Sequence, residues 1–114
     1  MSDIEKFKST LERISELTKQ NRLPWDEDPN GNDAPWVKVG EHFIVLREGR
    51  NHSGSVIYRV SIEDQDEKVI DSFSDEDLGG PSFRVFESLF KSARRQAKGA
   101  DKALDEVLKG LENL

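Results

Sequence analysis

The sequence predicts an α+β domain: an N-terminal helix, a three- or four-stranded antiparallel meander and a long C-terminal helix. Three observations carry this. Ile4, Phe7, Leu11, Ile14 and Leu17 recur at helical spacing. Val56, Tyr58, Val60 and Ile62 alternate with Ile57, Arg59 and Ser61, the period of a strand with one apolar face. From Phe86 through Phe90, Ala93, Ala97, Ala100, Leu104, Val107 and Leu111 to Leu114, apolar residues step alternately by four and three, the spacing of a single helical seam. At 114 residues the chain is read as one domain, 1–114.

In chain order, Ser2-Asp3-Ile4-Glu5 forms a capping box that starts the first helix, and Asn21 and Pro24 end it. Residues 24–35 hold three prolines, a glycine and four acids, the chemistry of a loop. Trp36-Val37-Lys38-Val39 and Phe43-Ile44-Val45-Leu46 read as strands around a turn at Gly40. Gly49 to Gly54 turns the chain into the strand Ser55 to Glu63. A hairpin at Asp64-Gln65-Asp66 then returns it through Lys68 to Phe73. Ser74 to Pro81 is an acidic connection, and Ser82 opens the last helix.

Unbroken, that helix is about 48 Å long, whereas an eight-residue strand spans only about 26 Å. The overhanging seam must cover itself on the first helix or on a second copy, or break at Gly99, where Asp101 would cap a new helix. The unbroken phase favours the continuous helix, against a cost of about 1 kcal/mol for glycine in its interior.

Charged residues make up 35% of the chain and the net charge is -6, so the surface is soluble and on balance repels nucleic acid and anionic lipid. Residues 63–77 carry eight acids against Lys68, and 82–98 carry five bases against Glu87, so the two segments are predicted to be complementary neighbours. The absence of cysteine fits a reducing compartment, and no apolar run approaches a membrane span. The expected location is cytoplasmic, with no membrane partner and no cofactor.

Four features could carry chemistry. Asp26-x-Asp28-x-Asn30-Gly31 matches the first half of a calcium loop, but Pro29 interrupts it and Val37 stands where the bidentate glutamate belongs. Arg84, Lys91, Arg95 and Lys98 form a basic stripe opposite the apolar face of the C-terminal helix, able to meet phosphates or acids. Trp25 and Trp36 bracket the acidic loop, each either plugging the core or anchoring a partner. His42, His52 and the adjacent acids Asp75, Glu76 and Asp77 complete no metal-binding or catalytic constellation, so no enzyme is expected.

Thr18 with Leu23-Pro24-Trp25, Tyr58-x-Val60-x-Ile62-x-Asp64, Leu89-Phe90-x-x-Ala93-Arg94-Arg95 and Asp101-x-x-Leu104 resemble a loose group of small bacterial and mobile-element proteins. The resemblance implies a helix, an antiparallel sheet and a C-terminal helix, and brings no activity with it. The expected function is a non-enzymatic protein-interaction or regulatory module, homodimeric through Ala97, Ala100, Leu104, Val107 and Leu111. One form of it is an inhibitor whose acidic strip, Asp64, Asp66 and Glu67, occupies a basic site on a target. The alternative is a nucleic-acid or small-ligand binder using the basic stripe.

Overall fold

The computed structural model describes residues 3–114. Ser2 of the predicted capping box lies outside them. The helix that follows, α1 (Asp3–Lys19), buries Leu11, Ile14, Ser15 and Thr18, whereas Ile4 at its start stays exposed. Asn21, at φ 56, turns the chain out of it.

Four strands follow: β1 (Trp36–Val39), β2 (His42–Arg50), β3 (Val56–Glu63) and β4 (Val69–Ser74). They form one antiparallel sheet in the order β1-β2-β3-β4, the predicted meander in its four-stranded form. Its register sorts the side chains. Val37 lies opposite Ile44 and Ile44 opposite Ile62; Leu46 lies opposite Val60 and Val60 opposite Phe73. These residues face the helices. The alternate set, Trp36, Phe43, Val45, Arg47, Ser61 and Glu63, faces the other way, because side chains in a strand alternate. Between β3 and β4 the register shifts at Ile62 and Glu63, the mark of a bulge beside the turn.

The connection 74–81 is not bare loop, as the sequence suggested, but contains a short helix, α2 (Asp75–Leu78). The Ser74 hydroxyl accepts from the Asp77 N–H, and the Asp77 carboxylate accepts from the Ser74 N–H. This is a capping box with Asp in place of the usual Glu. Asp75 is buried, and its Oδ1 accepts the Tyr58 N–H at 2.7 Å, one residue beyond the last strand pair, Arg59 with Ser74.

Next, α3 (Ser82–Ala97) lays Phe86, Leu89, Phe90 and Ala93 on the sheet. Phe7 stacks on Phe73 with ring centroids 4.7 Å apart, and Phe73 meets Phe86 edge-on at 6.0 Å, so α1, sheet and α3 share one aromatic core. Burial there is worth about 1.5–3 kcal/mol per fully covered large apolar side chain.

The continuous C-terminal helix is overturned. Gly99 takes the left-handed conformation, φ 64 and ψ 37, and divides α3 from α4 (Ala100–Glu112). A left-handed residue ends the α3 ladder, which glycine allows without strain. The predicted cap also differs: Gly99 is the N-cap and offers no side chain, while Asp101 pairs with Arg95 at 3.1 Å and clamps the start of α4 to the end of α3. The α4 helix does not fold back to cover itself. None of its residues is buried, and the molecule measures 56 × 33 × 26 Å. Among the described residues, no helix is long and apolar enough to cross a membrane.

Candidate functional site

Two surfaces combine exposure with a chemistry that water does not favour. The first is α4. At 100° per residue, Ala100, Ala103, Leu104, Val107, Leu108, Gly110 and Leu111 fall within an arc of roughly 160°. Asp101, Asp105 and Glu112 flank this arc, and Lys102 and Lys109 lie on the opposite face. Leu104, Val107, Leu108 and Leu111 are 52%, 56%, 57% and 60% exposed. The predicted seam is therefore split at Gly99: Phe86, Phe90 and Ala93 lie in the core and Ala97 packs on its edge, Ala100 is half-buried, and the rest faces water.

The second surface is the back of the sheet. Residues 26–35 curl over it, with Asp26 and Trp36 exchanging both backbone hydrogen bonds at 2.9 and 3.0 Å. The Trp36 indole N–H donates to the Glu27 carbonyl at 2.7 Å, which fixes the ring. Beneath the loop lies a cleft of about 340 Å³, lined in part by Asp28, Trp36, Phe43, Arg47, Glu63 and Glu67. Trp36 and Phe43 form a tilted pair, centroids 5.2 Å apart. Glu63 is 6% exposed, and its Oε2 accepts from Arg47 at 3.0 Å.

The calcium half-loop closes on itself. Asp26 Oδ1 accepts the Glu27 N–H; Asp28 Oδ1 accepts the Asn30 N–H at 2.9 Å, and Asp28 Oδ2 takes the Asn32 amide at 3.1 Å. These bonds, the Asn30 N–H first and the Asn32 amide next, hold the Asp28 carboxyl below its usual range. Both oxygens are spent on shaping the loop. Among the described residues, no three acidic or histidine side chains come together so as to hold a metal ion.

The basic stripe is also partly spent. Lys91 faces Glu87 at 4.0 Å and Arg95 holds Asp101; Arg84 and Lys98 are exposed. No described ion pair joins 63–77 to 82–98, contrary to the expected complementarity: Glu63 goes to Arg47 across the strands, and Arg94 goes to Asp33 of the loop at 3.0 Å. Within the acidic strip, Asp64 Oδ1 accepts the N–H groups of Asp66 and Lys68, building the hairpin turn, and Asp66 and Glu67 are exposed. His42 opens β2 and His52 sits in the following turn, both exposed.

The tryptophans separate. Trp25 is buried and plugs the core, while Trp36 floors the cleft beside Asp28, Asn30, Asp64 and Glu67, which lie up to 39 positions apart in sequence. Phe43, Arg47 and Glu63 were not singled out from the sequence. Their signal was the Phe-x-Val-x-Arg alternation in β2, legible only once register sets Phe43 opposite Glu63. A scan against protein-family models finds no match, and neither curated proteins nor solved structures show a significant similarity to this chain.

Proposed function

We propose that the chain is a non-enzymatic protein-interaction module that assembles as a homodimer through α4. One observation carries the reading: a 13-residue helix with no buried residue presents Leu104, Val107, Leu108 and Leu111 along one face. A helix this short is marginal by itself in water, so its stability must come from packing its apolar face on something.

A second copy fits that face. Ala100, Ala103 and Gly110 border the leucines and let a facing helix approach closely, while the charged residues keep to the rest of the surface. A symmetric pair would bury eight large apolar side chains, each worth up to about 1.5–3 kcal/mol. That total is of the size needed to offset an association cost of about 4–15 kcal/mol.

Light scattering across a concentration series tests the reading, with Leu104→Glu/Leu111→Glu as the control. Both positions are exposed within one copy, so the variant should keep the monomer's fold while losing the dimer. A wild-type chain that remains monomeric at high concentration contradicts the proposal.

A further inference from the structure

We infer that the cleft between the 26–35 loop and the back of the sheet binds a cationic group on an apolar stem, the chemistry of an arginine or lysine side chain. The inference stands apart from the α4 reading, since none of the residues that line the cleft belongs to α4.

The strongest pointer is Glu63. It lies on the sheet, with its side chain 8% exposed, and its Oε2 accepts one hydrogen bond, from Arg47. No described hydrogen bond reaches Oε1, and since no buried side-chain oxygen among the described residues lacks a partner, Oε1 is open to solvent on a residue that lines the cleft. A carboxylate oxygen that holds only water can exchange it for a stronger, charged donor. Arg47, 47% exposed, donates to Oε2 alone. A guanidinium or ammonium entering the cleft would take the place of that water as donor to Oε1.

The rest of the lining agrees. Asp28, Glu63, Asp64 and Glu67 outnumber Arg47, the one basic residue among the lining side chains, so the cleft opposes an anion and attracts a cation. Asp28 and Asp64 are held in place by the N–H groups they accept, so their charges cannot swing away from the opening. Trp36, fixed by its bond to Glu27, and Phe43 offer aromatic surface for an aliphatic stem and a cation. At about 340 Å³ the space is at the small end of ligand pockets and suits one side chain.

The test uses the two indole N–H signals of the intact protein in a two-dimensional NMR titration at low salt, with N-acetyl-arginine amide as probe. The Trp36 signal should move saturably while that of the buried Trp25 stays, giving an internal control. N-acetyl-norleucine amide, which keeps the stem without the charge, should move neither. Glu63→Gln should weaken binding about tenfold. Should that variant unfold, the exposed Glu67→Gln tests the same charge and should weaken binding about threefold. A blocked Gly-Arg-Gly peptide that binds more tightly than the amide identifies a polypeptide as the natural source; equal affinity identifies a free small cation. The proposal is overturned if norleucine amide binds as well, if inorganic phosphate moves Trp36 instead, or if no saturable shift occurs.

Discussion

The indole N–H of Trp25 donates to Thr18 Oγ1 at 3.0 Å inside the protein, where Thr18 is 1% exposed. Gln96 Nε2 reaches the carbonyl of the same threonine at 2.9 Å. One residue at the end of α1 thus ties together the following loop and the far end of α3. The chain closes its core at this point, and α4 begins four residues after Gln96.

Thr18→Val keeps the shape and leaves the indole N–H buried without an acceptor, so it should cost about 1–3 kcal/mol in urea denaturation. Adding Trp25→Phe removes the stranded donor. The double variant should therefore lose less than the sum of the two single changes, a coupling that a double-mutant cycle reads directly.

Glu67 sits at φ 65, in a left-handed conformation that glycine adopts freely and other residues occupy at a cost of about 1–2 kcal/mol. Glu67→Gly should raise stability by about 0.5–1 kcal/mol, part of the relief being lost to the greater freedom of glycine in the unfolded chain. The same change removes a carboxylate from the cleft rim. Greater stability with weaker cation binding is the expected pair of results in parallel denaturation and titration experiments.

Tyr58 is the chain's single tyrosine and is 5% exposed, packed between Phe83 and Phe90 at 5.5 and 5.4 Å. Burial, aided by the negative charges of Glu48 and Glu87, pushes its phenol up from the ordinary value of 10.0. A raised folded value means the stabilisation is intact below the ordinary range and lost as pH rises through the folded one. Absorbance of the phenolate should therefore appear later than in the urea-unfolded chain, and the urea midpoint should fall on the alkaline side. Coincident titrations in the two states would contradict this placement.

Elements whose signal is local were legible in the sequence. The α1 stripe, the alternation of Val56 to Ile62 and the loop chemistry of 24–35 each fix their own conformation, and the four-stranded meander follows from short connections between them. The break at Gly99 could be named from the sequence but not preferred, because the seam keeps phase across it, and apolar spacing reports which face a residue occupies, not whether the axis is straight. The αL turn at Gly99 offers its own backbone hydrogen bonds, and the Arg95 to Asp101 pair then holds the bend. The cleft was half legible. Asp28, Asn30, Trp36, Asp64 and Glu67 were each singled out, but their meeting depends on β2 to β3 register and on the loop curling back through Asp26. Both are properties of pairing, which no single stretch of sequence contains.

Gly99 also sets how α4 is displayed. Ala in its place would have to hold φ 64 with a side chain, at about 1–2 kcal/mol, although nothing lies within 4 Å of the added carbon. Gly99→Ala should therefore shift the population toward a straighter α3 to α4 junction, seen as a longer particle in small-angle scattering. An unchanged profile would mean that the Arg95 to Asp101 pair dominates the bend.

Pairing of two copies through α4 is read from the mass of the wild-type chain in light scattering beside Leu104→Glu/Leu111→Glu. Dimerisation through α4 gives a wild-type mass approaching twice 13.0 kDa as concentration rises, and a folded variant that stays at 13.0 kDa. A wild-type chain that stays at 13.0 kDa throughout, indistinguishable from the variant, would contradict it.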